Sequence, residues 1–326
     1  MKAITAEGLS KIYKYYKKEE GIKGSIKNFF KREALYKEAV KGISFSVDAG
    51  DSVGFIGLNG AGKTTTLKML SGILKPTSGK IDICGYSPFD KKNDFLKRIT
   101  MVMGNKSQLW WDIPAIDAFA LNKEIFGVED IQYNQTLNEL VEILDVGHLV
   151  NTQVRRLSLG ERMKMELILA LIHLPDIIFL DEPTIGLDVI SQYNIREALK
   201  KYRDNHNATI ILTSHNLDDI EIVCDKLMII DDGNIMYDGQ FDSFVQLQSV
   251  NKIMRIKFKK GIDISDILKD HQAEIISSME DEVNVKIENE KVISLSGQLM
   301  SQYLGEIKDI NIENANLQEI IRNLYA

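Results

Sequence analysis

At 326 residues, 44% of them hydrophobic, the chain is long enough for one large domain and a small one. Its formal net charge of −7 argues against nucleic acid as a partner of the whole surface, and two cysteines, Cys84 and Cys224, are too few for a disulfide framework. No apolar run approaches the roughly 20 residues needed to span a bilayer, and residues 1–7 lack the apolar core of a secretory signal, so a cytoplasmic location is expected.

Charge is spread unevenly: residues 11–37 hold nine Lys/Arg against three Glu, whereas residues 261–326 hold five Lys/Arg against thirteen Asp/Glu. Placed on a helix, Ile22, Ile26, Phe29 and Phe30 share one face among Lys23, Lys27, Lys31 and Arg32. That pattern fits a basic helix on an anionic membrane surface, and equally a solvated loop whose apolar face packs on its own domain. Short β-rich runs at 42–47, 52–56, 81–84, 99–103, 177–180, 209–213 and 226–230 alternate with helical ones, such as 66–74, predicting an α/β layered fold with a substantially parallel sheet. Between 111 and 173 such runs vanish and helical periodicity takes over, as in Leu137, Leu140, Val141 and Leu144, so a helical insert is expected. Asp231-Asp232-Gly233-Asn234 reads as a hairpin turn and Gly239 closes the domain, which puts a boundary near Gln240. Beyond it, alternating segments at 253–258, 283–287 and 292–295 and helical ones at 264–269 and 317–324 predict a small α+β domain over 240–326.

The first motif with chemistry in it follows the apolar run at 53–56: Gly57-Leu58-Asn59-Gly60-Ala61-Gly62-Lys63-Thr64-Thr65. A strand, a glycine-rich turn and a helix start form a phosphate cradle. The glycines turn backbone N–H groups inward, Lys63 reaches the β- and γ-phosphates, and the Thr64 hydroxyl can ligate Mg²⁺. Ile177-Ile178-Phe179-Leu180 runs straight into Asp181-Glu182. A strand ending in acids is often only solvated, but beside a phosphate loop Asp181 suits the metal and Glu182 a general base that polarises water. Leu157-Ser158-Leu159-Gly160-Glu161 reads as an N-cap with a capping box and also as a second phosphate-binding helix start. One triphosphate needs one cradle, so two of them suggest a site shared between molecules.

In that order and spacing these motifs resemble the nucleotide-binding subunit of ABC transporters over residues 1–239, with the basic insert at about 14–37 and the helical subdomain at about 104–173. Residues 57–65 match the Walker A loop, so Gly57, Asn59, Gly60, Ala61, Gly62, Lys63, Thr64 and Thr65 are its nucleotide-binding residues. Ser158, Gly160 and Glu161 fall in the signature loop, Asp181 and Glu182 in Walker B, Asp188 in the D-loop, and Thr213-Ser214-His215 holds the switch histidine. The resemblance implies a P-loop ATPase fold, ATP and Mg²⁺ as cofactors, adenine stacked on Tyr13, His215 as γ-phosphate sensor, and two copies packed head to tail around two ATP molecules. It further implies a separately encoded membrane permease, for which Trp110-Trp111 would be an anchor unless the pair is core packing. The basic insert would then touch either the inner leaflet or the permease. The nearest likeness is to daunorubicin- and multidrug-exporter-like subunits of bacteria, peripheral on the cytoplasmic face of the membrane.

Two positions depart from the family pattern. The loop that offers a glutamine to Mg²⁺ and water reads Met103-Gly104-Asn105-Lys106-Ser107-Gln108, so either Asn105 or Gln108 serves there. Glu161 replaces the usual glutamine and adds a negative charge that Arg162 or Lys164 would have to offset. An importer subunit shares every one of these motifs. A soluble ABC ATPase acting on ribosomes or DNA usually carries two ATPase units or long coiled coils, and neither is visible here.

Overall fold

The computed structural model describes residues 1–16, 34–248, 251–279 and 281–314, and its contacts divide into two compact units, 1–240 and 241–326. In the first unit, β3 (Ser52–Ile56), β5 (Ile99–Met103), β6 (Ile177–Asp181), β7 (Thr209–Thr213), β8 (Lys226–Asp231) and β9 (Asn234–Gln240) form one sheet in the order β5-β6-β7-β3-β8-β9. Every pair is parallel except the β8/β9 hairpin. Strands β3, β6 and β7 are buried along their whole length, which explains why they read as unbroken apolar runs rather than alternating ones.

The runs at 42–47 and 81–84 were expected in this sheet and are not. They belong to β2 (Ala34–Asp48) and β4 (Ser78–Ile83), which flank β1 (Lys2–Tyr16) in a separate antiparallel sheet ordered β2-β1-β4. Their inner faces, including Ile4, Leu9, Ile43, Phe45 and Ile83, share one core with Phe55 and Phe179 of the parallel sheet. The ends of the expected insert, 14–16 and 34–37, continue the β1/β2 ladder as far as the Tyr16–Ala34 pair. The amphipathic segment around Ile22 to Phe30 lies outside the described residues.

Helix α1 (Lys63–Leu70) starts at the lysine of the glycine loop, three residues earlier than the periodicity suggests, and stops at 70 instead of 74. After α2 (Asn93–Leu96), the helical insert consists of α3 (Ala115–Phe126), α4 (Asp130–Leu144) and α5 (Leu159–Leu171). Then follow α6 (Val189–His206) and α7 (Leu217–Val223), each in front of a strand of the parallel sheet. No helix among the described residues is long and apolar enough to cross a membrane.

His173, just beyond α5, stacks on Phe126 with ring centroids 3.8 Å apart. Burial pushes its imidazole from about 6.5 down to about 4. The folded chain therefore refuses a proton that the unfolded chain accepts. The associated stability is complete above pH 6.5 and is lost as the pH falls toward 4, by up to about 3 kcal/mol. We expect His173→Phe to flatten the fall in urea midpoint between pH 7 and pH 4.5; an unchanged slope would remove His173 as its source.

The second unit holds α8 (Phe241–Gln248), β10 (Asn251–Phe258), α9 (Ser265–Asp270), β11 (Glu274–Ser278), β12 (Glu282–Glu288), α10 (Val292–Tyr303) and β13 (Ile307–Asn314). Its sheet, ordered β11-β12-β10-β13 and antiparallel throughout, with a helix in each crossover, is a split βαβ arrangement. Alternate residues Met254, Ile256, Phe258 and Val283, Val285, Ile287 face Leu268, Leu295 and Leu299 of the helices. Residues 292–295, expected as strand, open α10 instead. Buried Val292, Leu295 and Leu299 are spaced i, i+3, i+7, a period that a four-residue window cannot separate from alternation. The expected helix at 317–324 lies outside the described residues.

Candidate functional site

The glycine loop leaves the C-terminal end of β3 and delivers Lys63 as the first residue of α1. Gly62 caps that helix with φ +113°, and a Cβ there would stand 2.5 Å from the Ala39 carbonyl oxygen, so no side chain is tolerated. Lys63 is buried, and its Nζ donates to the carbonyls of Gly57 at 2.6 Å and Leu58 at 3.2 Å. Burial lowers its pKa, while the nearby charges of Glu182 and Asp181 work in the opposite direction.

Parallel pairing brings the ends of β3, β6 and β7 side by side, which is where doubly wound sheets place their ligands. The Thr64 hydroxyl donates to Asp181 Oδ1 at 2.7 Å, and the Thr213 hydroxyl donates to the same oxygen at 2.8 Å. Glu182 has φ +53°, a left-handed conformation that is uncommon outside glycine. Its backbone N–H donates to the Thr213 carbonyl, and its Oε2 lies 2.6 Å from His215 Nδ1. An open cavity of about 230 Å³ is lined by Tyr13, Lys37, Ala39, Asn59, Gly60, Gly62, Lys63, Thr64, Thr65 and Glu182. Sequence reasoning missed Lys37, which is the cross-strand neighbour of Tyr13 in the β1/β2 ladder. A larger hollow of about 650 Å³ along β4 contains none of the motif residues, so size does not locate the site.

Ser158, Gly160, Glu161 and Asp188 do not line that cavity, and neither do Gly57, Ala61, Asn105, Asp181 or His215, of which Asp181 bonds to Thr64 and His215 to Glu182 on its wall. Ser158 caps α5 and forms a full capping box with Glu161, whose carboxylate accepts the Ser158 N–H at 2.8 Å. That bond, first among the causes, holds the Glu161 carboxyl below its usual range. The Lys164 charge is the last of those causes, while its Nζ donates to the Leu144 carbonyl, and Arg162 sits over the Trp111 ring. A Cβ on Gly160 would stand 2.4 Å from Ser191 Oγ, so the loop lies directly against the start of α6. There Asp188 caps the helix through the Ser191 N–H and hydroxyl, which hold its carboxyl low.

Of the two amides offered for the loop after β5, Gln108 turns back and donates from Nε2 to the Met101 carbonyl at 2.9 Å. Asn105 stands exposed in the turn, next to Gly104, whose N–H donates to the Asp181 carbonyl. Buried Glu166 of α5 fastens this segment, accepting from the Ser107 hydroxyl and from the N–H groups of Gln108 and Leu109. Nothing in the local sequence marks Glu166, since its partners lie nearly sixty residues away. Trp110 and Trp111 are each 55% exposed and are not core residues.

A family model described as ABC transporter matches residues 40–185. The bacitracin transport ATP-binding protein BcrA of Bacillus licheniformis is 33% identical over 239 residues, covering 71% of this chain and 76% of that protein. The ABC transporter ATP-binding protein NatA of Bacillus subtilis is 30% identical, over 69% of this chain and 92% of that one. The linearmycin resistance ATP-binding protein LnrL of the same organism is 26% identical over 88% of this chain and 94% of its own length. Among solved structures, an ATP-binding subunit of an ABC transporter superposes with a TM-score of 0.61 at 23% identity, over 75% of this chain and 92% of the other. With a strand-borne phosphate loop, an acidic strand end beside it and relatives of this kind along most of its length, the chain belongs to the ABC transporter family, as an ATP-binding subunit and an ATPase.

Proposed function

We propose that this chain powers a bacterial exporter. Two copies close head to tail on two ATP molecules, each held between residues 57–65 of one copy and Ser158 and Gly160 of the other, and the closure drives a separately encoded permease from the cytoplasmic face. The observation that carries this reading is the split of one chain's motifs into two groups: Lys63, Thr64 and Glu182 share a cavity, with Asp181 and His215 bonded to its wall, while Ser158 and Gly160 lie against Glu161 and Ser191 outside it. Glu182, on the cavity wall, activates water, His215 beside it senses the γ-phosphate, and Tyr13 stacks on adenine. Thr64, Asp181 and Asn105 supply the protein oxygens for Mg²⁺. Hydroxyl, carboxylate and amide oxygens around a phosphate suit an ion that keeps several of its waters. Relatives named for bacitracin transport and linearmycin resistance favour export. The second unit serves as an accessory, regulatory or dimer-stabilising domain.

The exposed Trp110 and Trp111 are the anchor for the membrane partner. Arg155 holds this segment to the signature loop's approach through its N–H to the Trp111 carbonyl and an ion pair with Asp112 at 3.1 Å. Tagged protein from its native cells is expected to sediment with membranes and to co-purify with a polytopic membrane protein. Replacing both tryptophans by alanine should lower that recovery about tenfold or more, as for aromatic hot spots. Recovery with ribosomes or DNA and without any membrane protein would overturn the reading.

A further inference from the structure

Asp219, on α7, is 1% exposed and takes part in none of the motifs described above. Its Oδ2 accepts hydrogen bonds from the Thr184 hydroxyl and from the Ser214 hydroxyl, each at 2.5 Å, and its Oδ1 accepts from Arg196 Nε at 2.6 Å. Thr184 stands two residues after Glu182, and Ser214 immediately precedes His215. One carboxylate thus receives the loop that carries the general base, the loop that carries the sensor histidine and, through buried Arg196, helix α6, which Asp188 caps. Arg196 also holds Gln192 Oε1 at 3.3 Å, and Gln192 Nε2 donates to the Leu187 carbonyl at 3.2 Å, so the D-loop hangs from the same cluster.

A buried ion pair is weak evidence for stability, because apolar residues of like volume often pack as well or better. Its value here is geometric. Glu182 lies in a left-handed conformation, which persists only where the surroundings enforce it, and its contact with His215 spans two loops that no backbone ladder joins beyond Thr213. The hydroxyls of Thr184 and Ser214, both drawn to one oxygen atom, set how far apart those loops stand.

We propose that Asp219 is a positioning residue for hydrolysis: through Thr184 and Ser214 it fixes Glu182 and His215 on the same γ-phosphate. This inference rests on the roles given to Glu182 and His215 above. The full chain is tested as Thr184→Val, Ser214→Ala and the double variant, with Glu182→Gln alongside. Replacing Asp219 itself would strand the Arg196 charge and risk misfolding. The double variant is expected to lose kcat by about 10- to 100-fold, the scale of a small misplacement of reacting groups, with KM for ATP unchanged. Thr184→Ser, which restores the hydroxyl, should return kcat to near the parent value. If both hydroxyls merely stabilise the fold, Tm falls while kcat well below Tm stays at the parent level, and the proposal fails. Parent-level turnover in Glu182→Gln would overturn the reading of Glu182 instead. An inactive Glu182→Gln beside a fully active double variant would overturn only the role of Asp219.

Discussion

Glu182→Gln is expected to lower ATP turnover by about 1000-fold, within the usual contribution of a positioned general base, and to leave ATP binding intact. The amide has the shape of the carboxylate and keeps a polar contact with His215 Nδ1, now 2.6 Å from Glu182 Oε2, so the left-handed backbone at 182 and the loop beside it need not change. What is lost, on the role proposed for Glu182, is the capacity to take a proton from water. A chain that binds ATP and cannot hydrolyse it should accumulate as the closed pair, visible as a dimer peak on size exclusion with Mg-ATP and as a monomer without it. Asp181 is the contrasting acid. Its Oδ1 already holds two hydroxyls, from Thr64 and Thr213, which suits a metal-side role and leaves the proposed base role to Glu182. Turnover near the parent level in Glu182→Gln would move the base elsewhere.

Lys63→Ala should weaken ATP binding by about 10- to 100-fold, the range for losing a hydrogen bond to a charged partner. Nζ donates to Gly57 and Leu58 and stands among Thr64, Asp181 and Glu182, where an arriving triphosphate would draw it away from the two carbonyls. Without nucleotide the substitution should cost little stability. Burial pulls the lysine pKa below that of the unfolded chain, so at neutral pH the buried ammonium is itself a penalty that alanine removes. The diagnostic result is a Tm without ATP close to the parent, together with loss of the upward Tm shift that saturating ATP gives the parent. A preserved ATP shift would mean that Lys63 does not touch the nucleotide.

Motifs made of neighbouring residues were legible in the sequence because their geometry is local. A strand running into Gly57, Gly60 and Gly62 and then into Lys63 admits few other structures, and the capping box of Ser158 and Glu161 closes within one helical turn. The parallel strands were legible as apolar runs, since burial on both faces removes alternation. Assignments that needed a partner distant in sequence were not legible. The runs at 42–47 and 81–84 look like any half-buried strands, and only their pairing with β1 puts them in a second sheet. At 292–295 the window was shorter than the period it had to distinguish.

The sequence by itself determined the ligand class, the family likeness and the order of the chemical groups, because each depends on residues within a few positions of one another. Only the tertiary structure decided which groups meet. It put Glu182 against His215, placed Lys37 beside Tyr13 on the cavity wall and turned Gln108 away toward Met101. It also buried Glu166 and Asp219 as acceptors for loops far along the chain. An isolated acidic residue in a helix carries no local sign of its partners. A carboxylate is tolerated in the interior only where folding delivers donors to it, and those donors come from segments that the sequence does not place side by side.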